Sequence, residues 1–194
     1  MYKIILFFIL STIGWAQNIA NINIGLGRYD QEELSRYKVK PLGPGIELSL
    51  EKSLEPLMSL NYGLFFGMDY LSSEIKTDNV ENKIKQKNIK FGLTLKYTLF
   101  SAFALSFAYG LATIDHSLKE EVDEETRVAL TNIYGLKDGA KSSMLAYGIQ
   151  YNFDTDGAYK KTYISFQKIN YNKFESSQFQ LSVGMTWEMS FGSY

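Results

Sequence analysis

Apolar residues recur at every second position along most of the chain. In residues 22–27, Ile22, Ile24 and Leu26 share one face, and Asn23, Gly25 and Gly27 share the other. The same period returns in residues 46–51, 60–70, 89–97, 103–111, 145–153 and 179–189. It is cleanest in 103–111, where Phe103, Leu105, Phe107, Tyr109 and Leu111 alternate with Ala104, Ser106, Ala108 and Gly110. Successive side chains of a strand point to opposite faces, so a period of two predicts strands. A weaker run at 159–169 places Thr162, Ile164 and Phe166 on one face and Tyr163, Ser165 and Gln167 on the other. With it the strands number eight, an even count that suits an antiparallel up-and-down path closing on itself.

The connections alternate in length. Residues 30–41, 71–87, 115–142 and 170–177 read as long loops, and 53–57, 98–101 and 154–158 as short turns. Asp154, Thr155, Asp156 and Gly157 have good turn chemistry. Long loops on one rim and short turns on the other are the asymmetry of a barrel inserted across an outer membrane. Within the longest connection, residues 122–132 read equally as a short helix or as an extension of the hairpin.

Two barrels fit this pattern, with opposite faces. A soluble lipocalin-like barrel keeps its apolar face inside and a charged face in water. Here the less apolar face carries Ala104, Ser106, Ala108 and Gly110, then Ala146, Gly148, Gln150 and Asn152. Small uncharged residues suit a narrow lumen. The other face is Phe, Leu, Ile and Tyr with hardly a charge, as lipid contact requires; one midplane Lys or Arg costs about 2–4 kcal/mol. The expected fold class is therefore all-β: an eight-stranded antiparallel up-and-down transmembrane β-barrel. Tyr29, Tyr70, Tyr97, Tyr109, Tyr151 and Trp187 are expected in aromatic girdles at the lipid headgroups.

The N-terminus changes the setting. Lys3 precedes an apolar run at 4–13, and Gly14 and Ala16 are small residues placed for a cut after Ala16. Residues 1–16 read as a signal peptide and 17–194 as the barrel. A retained anchor helix is the alternative, but the run is short for a bilayer. The chain has no Cys, which excludes disulfides, thiolate metal sites and a thiol nucleophile. With 20 basic and 21 acidic residues, nothing points to nucleic acid.

Near the end, Met185, Thr186, Trp187, Glu188, Met189, Ser190 and Phe191 alternate and close on an aromatic. Over its mature length the chain resembles the small eight-stranded outer-membrane proteins, the OmpA-like and OmpX-like barrels. That resemblance implies a Gram-negative cell outer membrane, outer-membrane lipid and lipopolysaccharide as surroundings, and a monomeric state. It also implies handling by the barrel-assembly machinery through Trp187, Met189 and Phe191; Gly192, Ser193 and Tyr194 follow, and Tyr194 is out of phase.

Candidate chemistry is sparse, and no cofactor or metal motif is read. Asp115, His116 and Ser117 offer an acid, a base and a nucleophile, but neighbours on an extended chain face opposite ways. A solvated loop histidine is expected. The pairs Glu32–Glu33, Glu120–Glu121 and Glu124–Glu125 read as solvated loop charges, and Gly25-Leu26-Gly27 as strand. The inward charges are more informative: Glu47 and Glu51, Lys90 and Lys96, and Glu188. In a narrow lumen they would pair. The expectation is that Glu51, Lys96 and Glu188 meet near the periplasmic end and Glu47 approaches Lys90, with separate hydration at a wet mouth as the alternative. The expected function is a non-enzymatic outer-membrane barrel whose loops serve surface contact or envelope integrity. A small porin or transporter and, less favoured, a lipid-modifying enzyme are the alternatives.

Overall fold

The alternating runs become strands, and the strands close. The computed structural model describes residues 18–53, 60–77, 80–100, 102–119, 122–153 and 160–189. Its strands are β1 (Asn18–Asp30), β2 (Leu42–Ser53), β3 (Leu60–Thr77), β4 (Val80–Phe100), β5 (Phe103–Leu118), β6 (Ala140–Phe153), β7 (Lys160–Tyr171) and β8 (Ser176–Met189). Each pairs antiparallel with its neighbours in sequence, and β1 pairs with β8, from Asn18 opposite Met189 to Asp30 opposite Ser177. Closure satisfies every strand edge, which a sheet surrounded by hydrocarbon requires. The signal-peptide segment 1–16, most of the turns expected at 53–57 and 154–158, Glu120–Glu121 and Phe191 lie outside the described residues.

The outward side of the lower strands is an apolar belt. Ile24, Leu26, Ile46, Leu48, Leu50, Leu64, Phe66, Phe91, Leu93, Leu95, Phe107, Leu111, Ile149, Ile164, Phe166, Leu181 and Val183 are all large, apolar and exposed. No Lys, Arg, Asp or Glu interrupts these positions. Tyr70, Tyr97, Tyr109 and Tyr151 share this exposed face, and Trp187 is half-buried. Tyr29 does not belong to a girdle: it is fully buried inside, where its hydroxyl donates to Ser176 at 2.8 Å. Its place in β1 puts it in phase with the inward Asn21 and Asn23, not with Ile24 and Leu26.

The expected loop at 71–87 is strand. β3 and β4 run on as a ladder from Leu71 opposite Gln86 to Thr77 opposite Val80. The alternation persists there with its polarity reversed. Leu71, Ile75 and Ile84 are buried inward, while Ser72, Glu74, Lys83, Lys85 and Lys87 take the outward phase. Likewise β5 continues through Asp115 and His116, so the loop expected at 115–142 is shorter, and β6 starts at Ala140. Above the lipid the strands obey the ordinary rule of a soluble sheet, apolar within and polar without.

Two helices cap this upper part. α1 (Glu32–Arg36) follows β1, and α2 (Glu124–Tyr134) joins β5 to β6. Asp123 caps α2 by accepting the Thr126 amide N–H at 2.9 Å, and Gly135 ends it with φ +60, a left-handed conformation that glycine adopts freely. Glu124 and Glu125 sit in the first turn of α2, and Glu32 and Glu33 in that of α1, where the helix dipole favours acids. Leu34 of α1 and Leu130 and Tyr134 of α2 pack with Tyr29, Val39, Leu71, Ile75, Ile84, Ile114 and Tyr171 in one buried cluster. A short 3₁₀ turn (Asn172–Phe174) links β7 to β8.

Candidate functional site: the lumen and its cap

The inner phase of the spanning strands fills the lumen with polar side chains that hydrogen-bond across it. At the lower level the Lys96 ammonium sits 2.8 Å from Glu51, which also accepts from the Ser49 hydroxyl at 2.7 Å. Asn21 donates to Ser49 at 3.0 Å and accepts from Thr186 at 2.8 Å, joining β8, β1 and β2. Tyr163 donates its hydroxyl to Asn23, and Asn23 donates to Glu47 at 3.2 Å. Gly184 makes room for this tyrosine: a Cβ there would lie 2.3 Å from the Tyr163 ring.

A second ion pair lies higher. Lys90 stands 3.0 Å from Asp69, with both side chains fully buried, and donates to Gln180 at 3.0 Å. The Gln178 amide donates to Asp69 at 2.9 Å, and its carbonyl accepts from Asn88 at 2.9 Å and from Tyr171 at 2.8 Å. Gln86 donates to Asn88 at 2.9 Å, and its own carbonyl faces His116 Nε2 at 3.1 Å. The chain of bonds leads from the barrel centre to the cap, where the Lys137 amide N–H donates to His116 Nδ1 at 2.9 Å.

Of the expected charge network, the structure brings Glu51 and Lys96 together. Lys90 turns to Asp69 instead of Glu47. Asp69 was readable as an inward residue, because it shares a phase with Phe65 and Gly67, but it stands at the end of the run that carries the pattern. Glu188 lies opposite Ile19 in the ladder, and its side chain, like that of Met189, lies outside the described residues.

His116 is not a solvated loop residue. It is a buried side chain at the upper end of β5, above the apolar belt, edge-on to Tyr29 at 6.3 Å between ring centroids. Burial, and then the Lys137 ammonium, push its pKa down to about 4. The lone pair on Nδ1 that accepts from Lys137 requires the neutral ring. Asp115 and Ser117 face outward, away from it. In the cap, Gln31 donates to Glu33 at 2.8 Å and holds that carboxyl below its ordinary range.

No protein-family model matches the sequence, and no curated protein is similar to it by sequence. Solved structures are similar in fold. Neisserial surface protein A matches with a TM-score of 0.54 at 11% identity, covering 91% of this chain and 100% of that one. Ail, the attachment invasion locus protein of Yersinia pestis, in complex with a heparin analogue, matches with a TM-score of 0.53 at 8% identity, covering 91% of this chain and 100% of that one. With a closed ladder, a lipid-facing belt and this likeness, the chain has the fold of the small eight-stranded outer-membrane barrels, and the outer membrane is where such an exterior is stable.

Proposed function

We propose that the protein is a non-enzymatic, sealed outer-membrane barrel that acts through its folded extracellular half, in surface contact and envelope integrity. The observation that carries this reading is the filling of the interior at two levels. Two buried ion pairs and their amide partners occupy the lumen, and an apolar cluster under α1 and α2 occupies the mouth. Against a lipid-modifying enzyme, His116 is committed to Gln86 and Lys137 and faces away from Ser117. Against a porin, a solute would have to break bonds spanning the lumen. The test is single-channel recording of refolded protein in planar bilayers: no steady conductance is expected, and large, long-lived channels would overturn the sealed reading.

The surface itself favours an anionic contact. Lys83, Lys85 and Lys87 stand at successive outward positions of β4, just above the belt, with Lys87 over the Tyr70 ring at 5.9 Å from its centroid. A lysine row just above the belt would meet the phosphates of a lipopolysaccharide leaflet. The Yersinia pestis barrel is solved with a heparin analogue, also a polyanion. A lysine beside an anionic lipid surface contributes about 1 kcal/mol. The triple change Lys83→Gln, Lys85→Gln, Lys87→Gln should therefore weaken lipopolysaccharide binding roughly a hundredfold. An unchanged affinity would remove this contact.

A further inference from the structure

The outward phase of β7 carries a charge that the belt does not explain. Lys168 is the next outward residue after Phe166. In the ladder it stands between Tyr147 of β6 and Phe179 of β8. Tyr147 is exposed, and so is Leu145, which faces Asn170 one outward step higher. Apolar surface therefore lies below Lys168 and continues past it on β6. Its ammonium leans over the Phe179 ring, 5.5 Å from the centroid, and that ring stacks on Phe166 at 6.2 Å. No carboxylate among the described residues lies within ion-pair distance of Lys168. A cation set into a lipid-facing surface calls for an anion from outside the chain.

Arg28 flanks the same ring from the other side. It is exposed, follows Leu26 in the outward phase of β1, and stands opposite Phe179 in the closing ladder. Neighbouring strands lie about 4.8 Å apart, so the backbones of Lys168 and Arg28 are about 10 Å apart across Phe179. Arg28 meets Asp30 at 3.7 Å, and Asp30 also faces Lys40 at 4.0 Å. Exposed pairs of this kind contribute little, and one long contact leaves most of the five guanidinium donors unused. One outward step below this row stand Phe166, Leu181 and Leu26, all exposed. An apolar strip thus leads from the two cations down into the belt.

We propose that Lys168, Phe179 and Arg28 form a binding site for one phosphorylated glycolipid, the lipid A part of a lipopolysaccharide. Its headgroup lies over the ring between the two cations, and its acyl chains run down Phe166, Leu181 and Leu26. A free phosphate or a soluble polyanion would match the charges alone, whereas an amphiphile covers the charges and the strip together. Two cations set apart across a ring suit a sugar headgroup with two phosphates better than the single phosphate of a phospholipid. The site deepens the anionic contact proposed above and rests on the same outward placing of the cap. It uses other residues, since β8 lies four strands from β4 in the closed barrel, so the two contacts can fail separately.

Native mass spectrometry of the refolded protein in detergent, titrated with diphosphorylated lipid A, tests this. The wild type should bind lipid A, and the variant with Lys83, Lys85 and Lys87 all changed to Gln should keep one copy. Adding Lys168→Gln or Arg28→Gln to that variant should raise the lipid A concentration for half-occupancy about tenfold, as loss of one hydrogen-bonding partner to a charge implies. Lys168→Arg should leave it unchanged, and removing the phosphates from the lipid should abolish the adduct. A heat-modifiable electrophoretic shift checks that each variant is folded. Loss of every adduct in the β4 variant, or a half-occupancy unmoved by both Lys168→Gln and Arg28→Gln, would overturn the site while leaving the β4 contact standing. Equal binding of phosphatidylglycerol would overturn the assignment to lipid A.

Discussion

Asp69 and Lys90 have no water to fall back on. Each is fully buried, and each spends its remaining capacity on Gln178 or Gln180 of β8. Removing one member leaves the other charge stranded, which costs about 3–5 kcal/mol. Asp69→Ala should lower the free energy of folding into lipid vesicles by that amount in urea titrations. Replacing both by apolar residues of similar size should cost far less, because no charge is then left alone. An Asp69→Ala barrel as stable as the wild type would mean that the pair is hydrated. The inward phase of Lys90 and Lys96 was legible from alternation alone. The partner of Lys90 was not, because phase fixes a face and says nothing about which neighbour a long flexible side chain selects. Tyr29 failed for a related reason: aromatic character suggested a girdle, although its phase pointed inward.

Among the elements, the β3–β4 hairpin and α2 depart most from expectation. Residues 71–87 carry so many charges that they read as loop, yet Leu71, Ile75 and Ile84 keep the period of two and bury one face. The signal was present with its polarity inverted, and a reading tuned to an apolar outer face passes over it. For α2 the marks were local, Asp123 before the helix and Gly135 after it, while the burial of Leu130 and Tyr134 depends on tertiary contacts that no local pattern contains. Docking of this segment runs through His116, whose folded pKa of about 4 lies below its ordinary 6.5. Between those values the undocked state binds more protons. Docking is therefore complete above pH 6.5 and weakens as pH falls toward 4. The protection factors of the α2 amides, hydrogen-exchange rates corrected for their intrinsic pH dependence, should fall across that window. His116→Gln should flatten the dependence, and a wild-type profile without this acidic limb would contradict the assignment.

For the molecule as a whole, the ordering principle is a change of solvent along each long strand. In the belt the exterior is apolar and the interior polar. Above Tyr70 and Leu111 the exterior is polar, and the interior becomes a core like that of a soluble protein. The expected alternation of long and short connections does not hold, since β3 and β4 meet at Thr77 and Val80 and a short 3₁₀ turn joins β7 to β8; the eight-strand count follows from periodicity and was readable in advance. The depth of the folded structure above the belt was not, because it depends on where the lipid stops. The chain has no native cysteine, so single-cysteine variants along β4 can be read without background. The most direct measurement is labelling of these variants, in membrane-inserted protein, by a charged maleimide that does not enter lipid. Lys83→Cys and Lys85→Cys should react, and Ile84→Cys and Gln86→Cys should be protected by the cap. Phe91→Cys, Leu93→Cys and Leu95→Cys should be protected by lipid. Ready labelling of the last three, or protection of the first two, would contradict the inverted-face barrel.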